Sequence, residues 1–246
     1  MVVTTPFPAA LLQAWERGVE RTVSARALLL LVAACPDTPP SALARLSIGQ
    51  RDGLLLSLRE SLFGPRLMCV ADCPQCAEHL DVSIAVADVR AEPSSLLTGR
   101  ESLALQTGEY DITFRLPTSE DMLAIDSLQQ HLALALLSRC VERVVCESGE
   151  SDIGSLPSDI VIEIGARMAA ADPQADIRLG MTCPSCRHTW SAHFDIAAFL
   201  WVEVDDWAKR MLRDIHALAS AYGWREGDIL NMSTVRRQMY LDLIRG

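Results

Sequence analysis

The sequence predicts an α+β fold that is predominantly helical, and three observations carry the prediction. Apolar residues recur at three- and four-residue steps through much of the 246-residue chain, the period of a helix that buries one face. Against that background two Cys-Pro-x-Cys turns, Cys73-Pro-Gln-Cys76 and Cys183-Pro-Ser-Cys186, each lie between short runs of strand character. The composition, 50% hydrophobic with 22% charged and 5% aromatic residues, is that of a globular chain able to bury a core without disulfides.

In chain order, residues 1–65 read as an N-terminal helical region. Leu11, Leu12, Trp15, Val19 and Val23 share one face, and Leu28 to Val32 extend it. Pro36, Pro39 and Pro40 break the chain. A second helix is expected from Ser47 to Phe63, with Ser47 as N-cap and Gln50 completing a capping box, closed by Gly64-Pro65. Strand character follows: Arg66 to Ala71 leads into the first cysteine pair, and His79 to Val89 alternates as a half-buried strand should. Ala91 to Gly99 reads as a loop.

Residues 91–176 read as an inserted region. It opens with a hairpin, Leu103 to Phe114, turning at Thr107-Gly108-Glu109. Pro117-Thr118-Ser119 ends the hairpin and caps a helical stretch, Glu120 to Leu128, His131 to Cys146 and Ser158 to Ala171, broken at Asp172-Pro173. Ile177 to Met181 and Thr189 to Phe194 are expected as strands flanking the second cysteine pair. Residues 196–246 form a C-terminal helical region, one long helix from Ile196 to Ala221 and a last one from Ser233 to Ile244.

A C-x-x-C turn aims two thiolates at one point, and two such turns give four soft ligands about 2.3 Å from a zinc ion. Strand–knuckle–strand context is what a zinc ribbon requires, and it occurs twice. A compact ribbon separates its pairs by roughly 15–20 residues, whereas 106 residues lie between Cys76 and Cys183. Residues 66–90 and 177–195 therefore read as two halves of a split ribbon, with Cys73, Cys76, Cys183 and Cys186 holding one structural Zn2+. Two unrelated turns would be the plainer reading; a redox role is disfavoured because neither pair opens a helix in a βαβ unit. His79 and His188 are the alternative ligands, and Cys69 is a substitute for Cys73. Cys35, Cys140 and Cys146 sit in helical patterns and read as small buried hydrophobes.

The charge bounds the partners. Twenty-two basic against 32 acidic residues give a net charge of −10, which disfavours gripping nucleic acid or an anionic membrane. Lys209 is the sole lysine, an arginine bias that suits a GC-rich bacterial genome. Met1 to Pro8 carries no export pattern, and the apolar run Ala25 to Cys35 is about half the ~20 residues a membrane span needs. The expected place is the bacterial cytoplasm, where the cysteines stay reduced. No nucleophile elbow, phosphate loop, HExxH helix or dinucleotide fingerprint is present. Asp205-Asp206 and Asp214/His216 read as the solvated face of the long helix. The expectation is a protein that is not an enzyme and has no small-molecule substrate.

The run from His216 through Tyr222-Gly-Trp224 and Asp228-Ile-Leu230 to Arg236-Arg237-Gln-Met-Tyr240-Leu241 resembles the ending of baseplate and tail-assembly proteins of contractile phage tails. Leu12 to Arg26, Gln50 to Glu60, Arg115 to Asp121 and Asp172-Pro173 fit as well. As an ordered set these pieces resemble the T-even-type phage baseplate and tail-assembly protein family, in the zinc-knuckle version found in contractile injection system clusters. The resemblance implies a structural or assembly protein of a baseplate, acting by binding other baseplate or tail proteins and available to a phage tail-like particle. On it, Tyr222, Trp224, Arg236, Arg237 and Tyr240 are expected to contact partners. Two other readings of that segment stay open: aromatics that are core anchors of a helix–turn–helix, and arginines that are solvated ends. A zinc-ribbon nucleic-acid or transcription-associated module is the alternative function, and a zinc enzyme would need an open metal position.

Overall fold

The computed structural model describes residues 1–91, 101–126, 128, 132–146 and 149–245. Helices account for 56% of it, with small antiparallel sheets. The N-terminal layer holds α1 (Pro8–Gly18), α2 (Val23–Ala34), α3 (Pro40–Ala44) and α4 (Ile48–Phe63). A hairpin of β1 (Arg66–Asp72) and β2 (His79–Ala85) follows, then the single-turn α5 (Val86–Val89). The middle region contains β3 (Ser102–Thr107), β4 (Tyr110–Arg115), α6 (Ser119–Ile125), α7 (Leu132–Cys140), β5 (Val141–Cys146), β6 (Gly149–Glu150) and α8 (Ser158–Ala171). A second hairpin, β7 (Arg178–Thr182) and β8 (Thr189–His193), leads to α9 (Ile196–Tyr222), α10 (Glu226–Leu230) and α11 (Thr234–Arg245).

The first helical stretch is two helices. Gly18 sits under the indole of Trp201, where a Cβ would lie 2.4 Å from a ring carbon, and the chain turns there. Thr22 restarts it as N-cap of α2, accepting from Ala25 N–H. Arg26 reaches back to the carbonyls of Gly18 and Val19 at 3.0 and 2.6 Å, satisfying groups that the end of α1 exposes. Its guanidinium lies 4.6 Å from the Trp201 ring centroid. The capping box on α4 forms as expected, with Ser47 and Gln50 exchanging backbone bonds at 3.2 Å.

Three apolar clusters organise the packing. The first joins α2, α4, β1, α5 and the first half of α9, through Leu30, Leu31, Leu55, Leu58, Leu67 and Leu200. Arg59, buried at its edge, makes two bonds to Glu203 on α9 at 2.9 and 2.7 Å. The second cluster lies between the antiparallel sheet β3-β4-β5-β6 and α7 and α8, around Ile112, Phe114, Val144 and Ile164. The third unites the second half of α9 with α10, α11 and Leu12 of α1.

One polar contact ties the middle region to the N-terminal layer, and a second network holds the middle region itself together. Asp172, at the end of α8, accepts from Gly49 N–H at 2.8 Å, placing a carboxylate on the positive end of α4. A Cβ on Gly49 would sit 1.8 Å from that carboxylate, so only glycine permits the contact. Asp121, 1% exposed, accepts from Arg115 at 2.6 and 2.9 Å, from Arg139 at 3.1 Å, and from the Thr118 amide and hydroxyl at 3.0 and 2.8 Å.

Several expected boundaries shift. The helix expected over His131 to Cys146 ends at Cys140, and Val141–Cys146 is β5, in register with β4 at Ile112↔Val144 and Phe114↔Val141. Val141, Val144 and Val145 favour strand once an unpaired edge of β4 is available. The strand expected to run to Val89 stops at Ala85, because Val86 and Val89 turn as α5 into the first cluster. The stretch expected to be helical to Leu128 ends at Ile125. The loop expected at Ala91 to Gly99 lies outside the described residues beyond its first residue. Among the described residues no helix is long and apolar enough to cross a membrane.

Candidate metal centre

The two cysteine pairs are built by one device used twice. Each hairpin is fully paired up to its knuckle, Asp72↔His79 in one and Thr182↔Thr189 in the other. In the first, Cys73 N–H donates to the Glu78 carbonyl at 3.0 Å and Ala77 N–H to the Cys73 carbonyl at 2.9 Å. In the second, Cys183 N–H donates to the His188 carbonyl and Arg187 N–H to the Cys183 carbonyl, both at 2.9 Å. The fourth residue after each leading cysteine takes a left-handed backbone, Ala77 at φ 58° and Arg187 at φ 61°. A side chain tolerates that conformation at a cost of order 1–3 kcal/mol, and such residues gather at functional sites. Neither was singled out from the sequence, although the equal spacing from the two C-P-x-C turns was there to be read.

Across 106 intervening residues the fold brings the four sulfurs together. The Sγ atoms of Cys73, Cys76, Cys183 and Cys186 all lie within 4.8 Å of one another. Cys73 to Cys186 and Cys76 to Cys183 are each 3.6 Å apart. A tetrahedral ion with arms of about 2.3 Å has sulfur–sulfur edges of about 3.8 Å, so this donor set fits one metal ion. Cys73 and Cys183 are buried, whereas Cys76 and Cys186 are exposed.

The electrostatics favour a cation at the centre. Burial opposes the Cys73 thiolate, but the amides of Cys76 and Gln75 and the thiols of Cys76 and Cys186 outweigh it and bring the thiol down to about 7. At Cys76 the Glu78 amide favours the thiolate, yet the thiols of Cys186, Cys73 and Cys183 together with burial push it up to about 12. A thiol raised as far as that of Cys76 keeps its proton at neutral pH, and a positive charge among the sulfurs would favour its release.

The alternative ligands lie apart from this cluster. His79 is 81% exposed, its Nδ1 2.5 Å from Asp72 Oδ1 at the base of the hairpin. His188 stacks on Trp190 with centroids 6.0 Å apart. Cys69 lies on β1 with its thiol pushed up by burial and by Glu203. Cys35 and Cys140 are buried, Cys140 pushed up to about 12 by burial. Cys146 is on a strand rather than a helix, half-buried, and donates to the Gly149 carbonyl.

The C-terminal residues separate into two groups. Tyr222 and Trp224 stack at 4.5 Å, and Tyr240 packs edge-on against both, at 5.7 and 4.8 Å. Arg236 is exposed, its guanidinium 5.8 Å from the Tyr240 centroid. Arg237 is not at the surface: its side chain is 7% exposed and faces Asp214 on α9 at 3.6 Å. The helical period puts adjacent residues about 100° apart, so the two arginines could not share a face. Asp205 likewise departs from a solvated role, since Trp15 and Lys209 donate to it at 2.8 and 2.5 Å and hold its carboxyl below the usual range.

These features define a mainly helical α+β protein whose four-thiol cluster is assembled from two distant knuckles. The family described as T4 bacteriophage base plate protein matches residues 9–201, from α1 through both knuckles into the first turns of α9. The chain belongs to that family. Searches of curated proteins and of solved structures gave no match. The matched range includes the Leu12–Arg26, Gln50–Glu60, Arg115–Asp121 and Asp172-Pro173 segments, while the Tyr222–Tyr240 run lies beyond it. Membership supports a structural role in a phage baseplate, a non-enzymatic one, and interaction with other tail or baseplate proteins.

Proposed function

We propose that this chain is a structural or assembly protein of the baseplate of a contractile, phage-like tail or injection system, made in the bacterial cytoplasm and stabilised by one zinc ion. The family match over residues 9–201 is the observation that carries the reading. Cys73, Cys76, Cys183 and Cys186 hold the metal. Four thiolates suit zinc among the common ions and close its coordination sphere, leaving no position for an activated water, so its work is mechanical. The ion clasps the end of the β1–β2 hairpin to that of β7–β8 and closes a loop whose ordering would otherwise rest on long-range contacts. The halves of the ribbon, 66–90 and 177–195, then act as a brace between the helical layer at 1–65, the insertion at 91–176 and the helices at 196–246. The chain works by protein–protein binding, with Tyr222, Trp224, Tyr240 and Arg236 among its contacts. The net charge of −10 disfavours the nucleic-acid module.

The test is mass spectrometry of a tagged chain pulled down from its native host, run beside purified particles. Baseplate proteins in the pull-down with the chain in the particle make it a component. Baseplate proteins without the chain in the particle make it an assembly factor. Absence of baseplate proteins from the pull-down rejects the reading.

A further inference from the structure

The last helix packs on the molecule through one side only. Arg237 and Leu241 of α11 are buried, Leu241 within the third apolar cluster. On the opposite side Val235, Met239 and Leu243 are 72%, 64% and 72% exposed. At 100° per residue these three fall within about 80° of arc, and at 1.5 Å per residue they form a ridge about 12 Å long. Arg236 borders the ridge on the flank of Tyr240. Asp242 borders the other flank, fixed by a bond from Gln238 at 2.7 Å. An apolar ridge with a cation along one edge and an anion along the other has a defined polarity.

The size of the ridge decides what covers it. Three side chains so exposed offer on the order of 350 Å², so a symmetric pair of ridges would bury about 700 Å², short of the roughly 1,200 Å² of a specific interface. Two-fold antiparallel pairing would also set Arg236 beside Arg236 and Asp242 beside Asp242. A groove that closes over the helix from both sides buries more area per residue and is the usual host for the apolar face of an amphipathic helix.

We propose that α11 is a docking helix that inserts Val235, Met239 and Leu243 into an apolar groove of a different, larger baseplate or tail protein. One rim of that groove presents a carboxylate to Arg236 and the other a cation to Asp242. The inference rests on the reading that the chain binds such proteins and names the surface that does so. Met239, flexible and central, is its principal anchor.

The experiment places the photo-crosslinker p-benzoylphenylalanine at Met239 in the full chain, expressed in the native host, with Ile162, an exposed residue of α8, as the control site. The expected result is a cross-link from position 239, and not from 162, to one tail or baseplate polypeptide at a peptide lined with apolar residues. Met239→Asp then lowers recovery of that polypeptide by about tenfold or more, with metal content and circular dichroism unchanged. A cross-link to a second copy of the chain, no cross-link, or recovery unaffected by Met239→Asp overturns the docking helix while leaving the family assignment intact. A groove-lined cross-link to a protein outside the apparatus keeps the helix as a docking element and rejects the baseplate reading.

Discussion

Replacing Asp121 with alanine should be among the most damaging single changes outside the cysteines. Five donors from Arg115, Thr118 and Arg139 converge on a carboxylate that is almost wholly buried. Arg139 is half in water and loses little. The Thr118 amide is buried and would lose its acceptor, at about 1–3 kcal/mol. Arg115, which also donates to the Leu116 and Arg139 carbonyls, loses its charge partner, and breaking such a pair costs about 3–5 kcal/mol in total. At roughly 2–4 °C per kcal/mol the unfolding midpoint should fall by about 6–20 °C. Thermal and urea unfolding followed by circular dichroism reads this directly. The pH dependence has a defined sign. Burial raises this carboxyl, but bonds from Arg115 and Thr118 dominate and bring it down to about 2. A depressed acid stabilises above its unfolded value of about 3.9, so its contribution, on the order of 2 kcal/mol, is lost as pH falls from 4 through 2. Asp121→Asn should remove that acid limb. A loss below about 1 kcal/mol for Asp121→Ala at pH 7 would refute the reasoning.

Gly49→Ala and Gly53→Ala, one turn apart on α4, should have opposite signs. The first drives a methyl into the Asp172 carboxylate and should cost about 2–3 kcal/mol, whereas the second meets nothing within 4 Å and should gain up to about 1 kcal/mol in urea titrations. Asp52 should act against Asp121 in the pH profile. Burial raises it to about 6, with Asp195 and Asp172 adding to the shift and Arg51 opposing it. A raised acid contributes stability below its unfolded value that is lost as pH climbs through 6, so stability measured from pH 4 to 7 should carry a falling component of about 3 kcal/mol that Asp52→Asn abolishes.

The elements that could be read from sequence are those set by local chemistry. Ser47 and Gln50 announce the start of α4, Asp172-Pro173 the end of α8, and Thr107-Gly108-Glu109 the β3–β4 turn, because caps and turns satisfy their own backbone. The four cysteines were legible as a set because a C-P-x-C turn is also a local structure, even though their meeting is not. What was hidden depends on distant neighbours. Val141 to Val145 leave the helix only because β4 offers an edge, and Val86 to Val89 coil only because the first core receives them. The break after Gly18 is set by Trp201, 183 positions away. Arg237 read as a surface cation until α9 placed Asp214 beside it. In each case tertiary contact overrode the local pattern.

The clasp between the knuckles is tested most directly by metal analysis of the full chain, purified under reducing conditions without added metal. The account predicts one zinc ion per chain, none in Cys183→Ser, and a lower unfolding midpoint in wild type after chelation. Closing a loop of about 100 residues is worth up to about 4.7 kcal/mol, so that midpoint should fall by about 10–20 °C. A folded chain with no thiolate-bound metal, or one that keeps its full zinc content in Cys183→Ser, would contradict it.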